Sequence, residues 1–124
     1  MPQSTVYVSQ RPKANAVGWT PDLTPALKYG KCEFVFEPDE QVSSDPNTMM
    51  RVARDRLDAF NPHTDYLLWP NTGDPAAIWA CVMVLMGYGF TEIRFLLWDR
   101  MVGEDGKRNG SKGEYVPLTL RTDS

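Results

Sequence analysis

Hydrophobic and polar residues alternate in some segments of the chain and form solid apolar blocks in others. "STVYV" at 4–8 and "CEFVFE" at 32–37 alternate with a period of two and contain β-branched residues, which predicts two strands. "DYLLW" at 65–69 and "EIRFLLW" at 92–98 are compact apolar runs, typical of strands that are covered on both faces. "EYVPLTLRT" at 114–122 predicts a fifth strand, in which proline favours an edge position or a bulge.

Two segments between these strands carry the same start signal for a helix. The pairs are Asp45–Pro46 and Asp74–Pro75. In each pair the aspartate carboxylate can accept hydrogen bonds from the free backbone N–H groups of the first turn, and the proline after it has a φ that is already helical. After the first pair, apolar residues recur at spacings of four, four and three, at Met49, Ala53, Leu57 and Phe60. After the second pair, an apolar run extends to about Met86 and ends at "GYG".

The second predicted helix carries no charge. Because an apolar helix needs cover nearly all round, residues 75–86 are expected to lie under an irregular arm at 10–30, which contains Trp19, or to form a homodimer contact. The run is shorter than the roughly 20 residues that a membrane-spanning helix needs. We therefore expect no membrane segment.

The order of elements predicts the fold. Strand, helix, strand, helix and strand follow one another at the spacing of two βαβ units, whose crossovers are right-handed. We expect one domain over residues 1–124, a small three-layer Rossmann-like α/β fold with parallel core strands. The first strand is expected at one edge, and the last to pair antiparallel with its predecessor across a Gly-rich loop at 103–113.

Charge and cysteine content narrow the range of possible functions. The net charge of −3 and the pI of about 5.1 argue against a dedicated nucleic-acid binder. Cys32 and Cys81 are too few and too far apart for a disulfide framework or a metal site, and they favour a reducing cytoplasm. No motif implies a cofactor, and acids at strand ends are too common to predict a metal site.

A binding site in an open parallel sheet is expected beyond the carboxyl ends of the strands. If the two "LLW" triplets align, Trp69 and Trp98 leave neighbouring strands on the same face. The expected cleft then contains both indoles, with the polar residues Asn71, Thr72, Asp99 and Arg100. The alternative is that the two rings cap the core of the sheet beneath the loops.

Two further segments allow a functional or a structural interpretation. "NTGDP" before the second helix would present N–H groups to an anion, or Asp74 would cap them itself. The Gly-rich loop, with Lys107, Arg108 and Lys112, is a hairpin tip or a finger that grips an acidic partner or a phosphate backbone.

The single histidine, His63, lies two residues before Asp65 in a turn, at the opposite end of the sheet from the expected cleft. A surface position fits it better than a role as general base. No nucleophile elbow is present.

Several segments together resemble small accessory proteins of tailed bacteriophages: "VYVSQ", "TPALKYG", "DYLLWPNTGDPAAIWA", "FLLWDR" and "YVPLTL". The resemblance implies a protein that acts in the cytoplasm of the infected cell by binding and redirecting a host protein. It implies no catalytic residues.

The leading interpretation is a non-catalytic phage protein that binds a host protein and modulates or inhibits it. The first alternative is a nucleotide- or phosphate-binding α/β protein with phosphoryl chemistry at the strand-end cleft. The second is single-stranded nucleic-acid binding through the Trp pair and two sets of basic residues. These are Lys107, Arg108 and Lys112 of the loop and Arg51, Arg54 and Arg56 of the first predicted helix.

Overall fold

The computed structural model describes residues 4–13, 22–40, 44–70, 72–102 and 108–122, with side chains for all of these except 100–102 and 108–113. Five strands form one sheet, and two helices and a short 3-10 helix connect them. The strands are β1 (Thr5–Gln10), β2 (Lys31–Phe36), β3 (Tyr66–Leu68), β4 (Glu92–Val102) and β5 (Arg108–Arg121). The helices are the 3-10 helix (Thr24–Lys28), α1 (Pro46–Arg56) and α2 (Ala76–Gly87).

The sheet has the strand order β2-β1-β3-β4-β5, with the first four strands parallel and β5 antiparallel to β4. This confirms the α/β class, the parallel core, both Asp-Pro helix starts and the antiparallel last strand. The fold is a small Rossmann-like one. Pro117 lies on the edge strand β5, opposite Leu96, as its missing N–H predicts.

The expected position of the first strand is wrong, because β1 lies between β2 and β3. Residues 6–10 of β1 are all buried, which requires neighbours on both sides and cover on both faces. β2 forms the edge instead. Its Lys31 and Glu33 are exposed, and such charges protect an edge strand from pairing with another chain.

The two faces of the sheet have separate cores. On the helix face, α1 and α2 pack against Tyr7, Leu67 and Ile93. On the arm face, the 3-10 helix brings Ala26 against Val6, Leu68 and Leu96. Both helices lie on one face because the chain moves in the same direction across the sheet from β2 to β3 and from β3 to β4, and both crossovers are right-handed.

Of the two covers expected for α2, the described part of the arm is not one, and the homodimer contact stays a prediction. Ala77, Ala80, Cys81, Val84 and Leu85 form its buried stripe, whereas Trp79, Met83 and Met86 are 64%, 64% and 47% exposed. The described part of the arm does not cover them, because the 3-10 helix packs on the other face of the sheet. Trp19 lies outside the described residues. Neither helix in the described part of the chain is long and apolar enough to span a membrane.

Asp65 joins the start of β1 to the turn before β3. Its carboxylate accepts hydrogen bonds from the backbone N–H of Thr5 at 2.9 Å and of Asn61 at 2.8 Å, and from the Thr64 hydroxyl at 3.2 Å. Asp65 is 5% exposed. Since an ionised carboxylate is a strong acceptor, these bonds fix the amino edge of the central strands.

We predict that Asp65→Asn lowers the free energy of unfolding by about 1–3 kcal/mol, because the amide retains one acceptor oxygen for two backbone donors at this buried position. Urea unfolding followed by circular dichroism measures the change. Asp58→Asn, at an exposed position after α1, is the matched control and is expected to stay within about 0.5 kcal/mol of the wild type. Equal stability of the two variants would contradict the role of Asp65.

Candidate functional site

The carboxyl edge of the parallel strands contains the topological switch point of the sheet. From β1 the chain passes to β2 on one side, while β3 lies on the other side of β1. Ligands of open α/β sheets bind at such a point. The loops that meet here are the β2–α1 loop and the β3–α2 loop.

Gln10, the last residue of β1, connects these two loops. Its Nε2 donates to the backbone carbonyl oxygens of Glu37 at 2.9 Å and Glu40 at 2.7 Å, and its Oε1 accepts from the Asp74 N–H at 2.8 Å. The side chain is 3% exposed, so these bonds are shielded from water. Sequence reasoning missed this residue, although a glutamine after the apolar strand "VYV" was a visible signal.

Gly73 lets the β3–α2 loop approach Gln10. Its φ is +85°, and a Cβ at this position would lie 2.3 Å from Gln10 Oε1. Both the backbone conformation and the space therefore require glycine.

A second polar group orders the β2–α1 loop. Glu40 Oε1 accepts from the Glu37 N–H at 2.7 Å and from Arg56 Nη1 at 2.8 Å. Partial burial raises the pKa of the Glu40 carboxyl, but these hydrogen bonds and the charge of Arg56 outweigh it and lower the pKa from its ordinary value. Arg56 also donates to the carbonyl of Val35, so the charge pair connects α1 to the end of β2.

The structure does not bring the two indoles together. In the β3–β4 register, Leu67 pairs with Phe95 and Leu68 with Leu96. The triplets are therefore offset by one residue, so that Leu97, not Trp98, is level with Trp69. Since side chains alternate along strands, a shift of one residue moves Trp98 to the arm face, whereas Trp69 follows Leu67 on the helix face.

The expectation of a shared cleft is wrong for this reason, and the two rings have different surroundings. Trp98 is half-buried and packs edge-on against Tyr115, with ring centroids 5.0 Å apart. It extends the core of the arm face. Trp69 is 41% exposed at the carboxyl edge.

The β3–α2 loop shows how the first turn of α2 is capped. Asp74 Oδ1 accepts from the Ala76 N–H at 3.0 Å, so a carboxylate already occupies a donor that an anion would need. Thr72 Oγ1 is buried and, in the described part of the chain, has no hydrogen-bond partner. The same holds for Ser9 Oγ at the end of β1. Asn71 lies outside the described residues.

Beyond the carboxyl edge, β4 and β5 continue as a two-stranded ribbon, formed by residues 97–102 and 108–116. β3 ends at Leu68, opposite Leu96, so the six residues Leu97–Val102 have β5 as their described pairing partner and extend about 20 Å. Three of the basic residues that the sequence analysis named as candidate binding residues lie on this ribbon. They are Arg100, Arg108 and Lys112. Asp99, opposite Glu114, is exposed on it. Lys107 lies outside the described residues.

The nucleophilic and metal-binding groups do not converge. His63 is exposed, and its backbone N–H donates to Asn61 Oδ1 at 2.9 Å, while the carboxylate of Asp65 is occupied elsewhere. Burial raises the pKa of the Cys32 thiol and raises that of Cys81 to about 12, so neither thiol ionises readily. Within the described ranges, no three His, Cys, Asp or Glu side chains are grouped as metal ligands.

We predict that Gly73→Ala destabilises the protein more than Gly89→Ala. Both positions have positive φ, at +85° and +89°, but a Cβ on Gly89 would meet nothing within 4 Å. Gly89→Ala should therefore cost about 1 kcal/mol of backbone strain, and Gly73→Ala should add about 1–3 kcal/mol for displacing the Gln10 carboxamide. Urea unfolding measures both variants, and equal losses would show that Gln10 does not hold the loop.

Comparison with known protein families places most of the chain in one family. The model of the Phage Pam3 gp32-like protein family matches residues 4–106. No curated protein and no solved structure matches the chain. The matched segment includes all four parallel strands, both helices and the Gln10 contacts. The chain belongs to the Phage Pam3 gp32-like protein family.

Proposed function

We propose that this phage protein acts by binding a host protein, without catalysis, and that the ribbon is the contact element. The observation that carries the proposal is the extension of β4 and β5 beyond the end of β3. This ribbon extends the sheet beyond the ends of its parallel strands. Binding residues are commonly placed on such projecting elements.

The residues of the ribbon support a protein partner. The ribbon contains the basic positions Arg100, Arg108 and Lys112 and the acidic positions Asp99 and Glu114. This mixed pattern suits a charged protein surface better than a phosphate backbone, because a nucleic-acid interface is strongly basic. Trp69, 41% exposed at the base of the ribbon, adds an apolar anchor of the kind found at protein interfaces.

We expect the double variant Arg100→Glu/Arg108→Glu to lose at least 10-fold in affinity for the host protein, because it replaces attraction by repulsion at the centre of the contact. The test captures host proteins on the tagged wild type and measures the enriched protein, once purified, by calorimetry. Arg51→Glu, exposed on α1, is the control and should bind like the wild type. Capture of no host protein, or equal binding by the ribbon variant, would contradict the proposal.

A phosphate-containing small ligand at the carboxyl edge is a second candidate. Its support is the pair of buried hydroxyls Ser9 Oγ and Thr72 Oγ1 at the switch point, which have no hydrogen-bond partner among the described residues, since a buried polar atom normally has a partner. The occupied N–H groups of Ala76 and Asp74 weigh against it.

Thermal unfolding with millimolar nucleotides, with and without Mg²⁺, tests this candidate. A bound ligand should raise the melting temperature by about 2 °C or more. Thr72→Val should abolish the shift, whereas Thr48→Val, on α1, should retain it. No shift with any nucleotide removes the candidate.

A further inference from the structure

The two helices α1 and α2 cover only part of the helix face of the sheet. β2 and β3 are each followed by a helix, but β4 returns through the short connection 103–107 into an antiparallel strand. The described residues therefore include no third crossover helix that could cover β4 and β5. Among the described residues, six large apolar side chains remain exposed next to this uncovered part of the sheet and form what we call the open apolar face: Trp79, Met83, Met86, Leu97, Leu118 and Leu120.

The open apolar face is continuous across a groove. Val82 and Met86 of α2 form one wall of the groove, and Phe95 and Leu120 of the β4–β5 pair form its floor. Leu118 and Leu120 pair with Phe95 and Ile93 in the register, which places them on the helix face, since directly opposite residues share a face. The groove thus lies where a third helix would pack.

α2 carries apolar side chains on two opposite sides. Its buried stripe faces the sheet, and Trp79, Met83 and Met86 form a second stripe with spacings of four and three on the opposite side. No charged residue lies between Asp74 and Glu92. A surface helix normally places charges on its outer face, whereas a helix that is apolar all round is buried.

We propose that the protein is a twofold homodimer in which α2 of each copy packs antiparallel along α2 of the partner copy and covers its open apolar face. The spacing of Trp79, Met83 and Met86 is that of a seam between two helices. An uncharged helix brings no charge repulsion to its own copy, and antiparallel packing aligns the helix dipoles favourably. A twofold axis makes one patch its own partner.

The area of the open apolar face supports a second copy. The exposed fractions of its six side chains correspond to about 600 Å² per copy, against about 800 Å² for each partner of a standard interface. The groove-lining side chains supply further area. Homodimer interfaces are also more apolar than those of transient complexes. In this respect the open apolar face resembles a homodimer interface more closely than the charged ribbon does.

Sedimentation velocity of the full chain tests the dimer. At micromolar concentration we expect twice the chain mass of 14.1 kDa. Trp79→Asp and Met83→Asp should each weaken the dimer at least 100-fold, because each buries an unpaired charge in the contact. Leu27→Asp is the matched control, since Leu27 is 56% exposed but belongs to the 3-10 helix on the arm face; it should remain a dimer.

Three results would overturn the dimer: a wild type that is monomeric at 100 µM, aspartate variants that dimerise like the wild type, or dissociation by Leu27→Asp alone. A monomeric wild type whose Trp79→Asp variant loses the host protein would assign this face to that partner instead. If the aspartate variants do not fold by circular dichroism, Trp79→Gln and Met83→Gln replace them, with at least a 10-fold loss expected. The variant Arg100→Glu/Arg108→Glu should remain a dimer, so failure of host binding and failure of dimerisation are distinguishable.

Discussion

Parallel pairing of β1 with strands on both sides is the constraint from which the rest of the structure follows. Val6, Tyr7 and Val8 pair with β2 in one direction and with β3 in the other. This position creates the switch point at the end of β1 and divides the molecule into a helix face and an arm face. It also places Gln10 between two loops whose backbone groups it satisfies. In a buried location those groups would otherwise be costly to leave unpaired.

The hairpin at the end of the chain has two consequences that belong together. Because β5 returns antiparallel beside β4, the pair can extend beyond the parallel strands and form the ribbon. For the same reason none of the helices that the structure describes crosses over β4 and β5, and the open apolar face results. The antiparallel return of β5 thus produces both the charged ribbon at the carboxyl edge and the open apolar face beside α2. Their different chemistry favours different partners.

Much of the architecture could be predicted from the sequence because it depends on local signals. Asp45–Pro46 and Asp74–Pro75 indicate helix starts in any context, and Pro117 indicates an edge. The central position of β1 depends instead on which strands it meets, although the charges of Lys31 and Glu33 in β2 pointed to the edge. Gln10 shows the same limit, since its role requires Glu37, Glu40 and Asp74 to meet in space.

The offset of the two "LLW" triplets shows why a repeated motif does not fix a site. Register in a buried parallel pair is set by which side chains fill the layers above and below the sheet. Leu67 and Phe95 fill the helix layer, and Leu68 and Leu96 fill the layer beneath the 3-10 helix. Leu96 and Leu97 therefore do not repeat the positions of Leu67 and Leu68, although the letters match. Because of this one-residue offset, Trp98 packs on Tyr115. Leu97 lies beside Trp69 instead, and both side chains are exposed. Packing against the helices thus decides which apolar residues remain on the surface, and with them which surfaces a partner can contact.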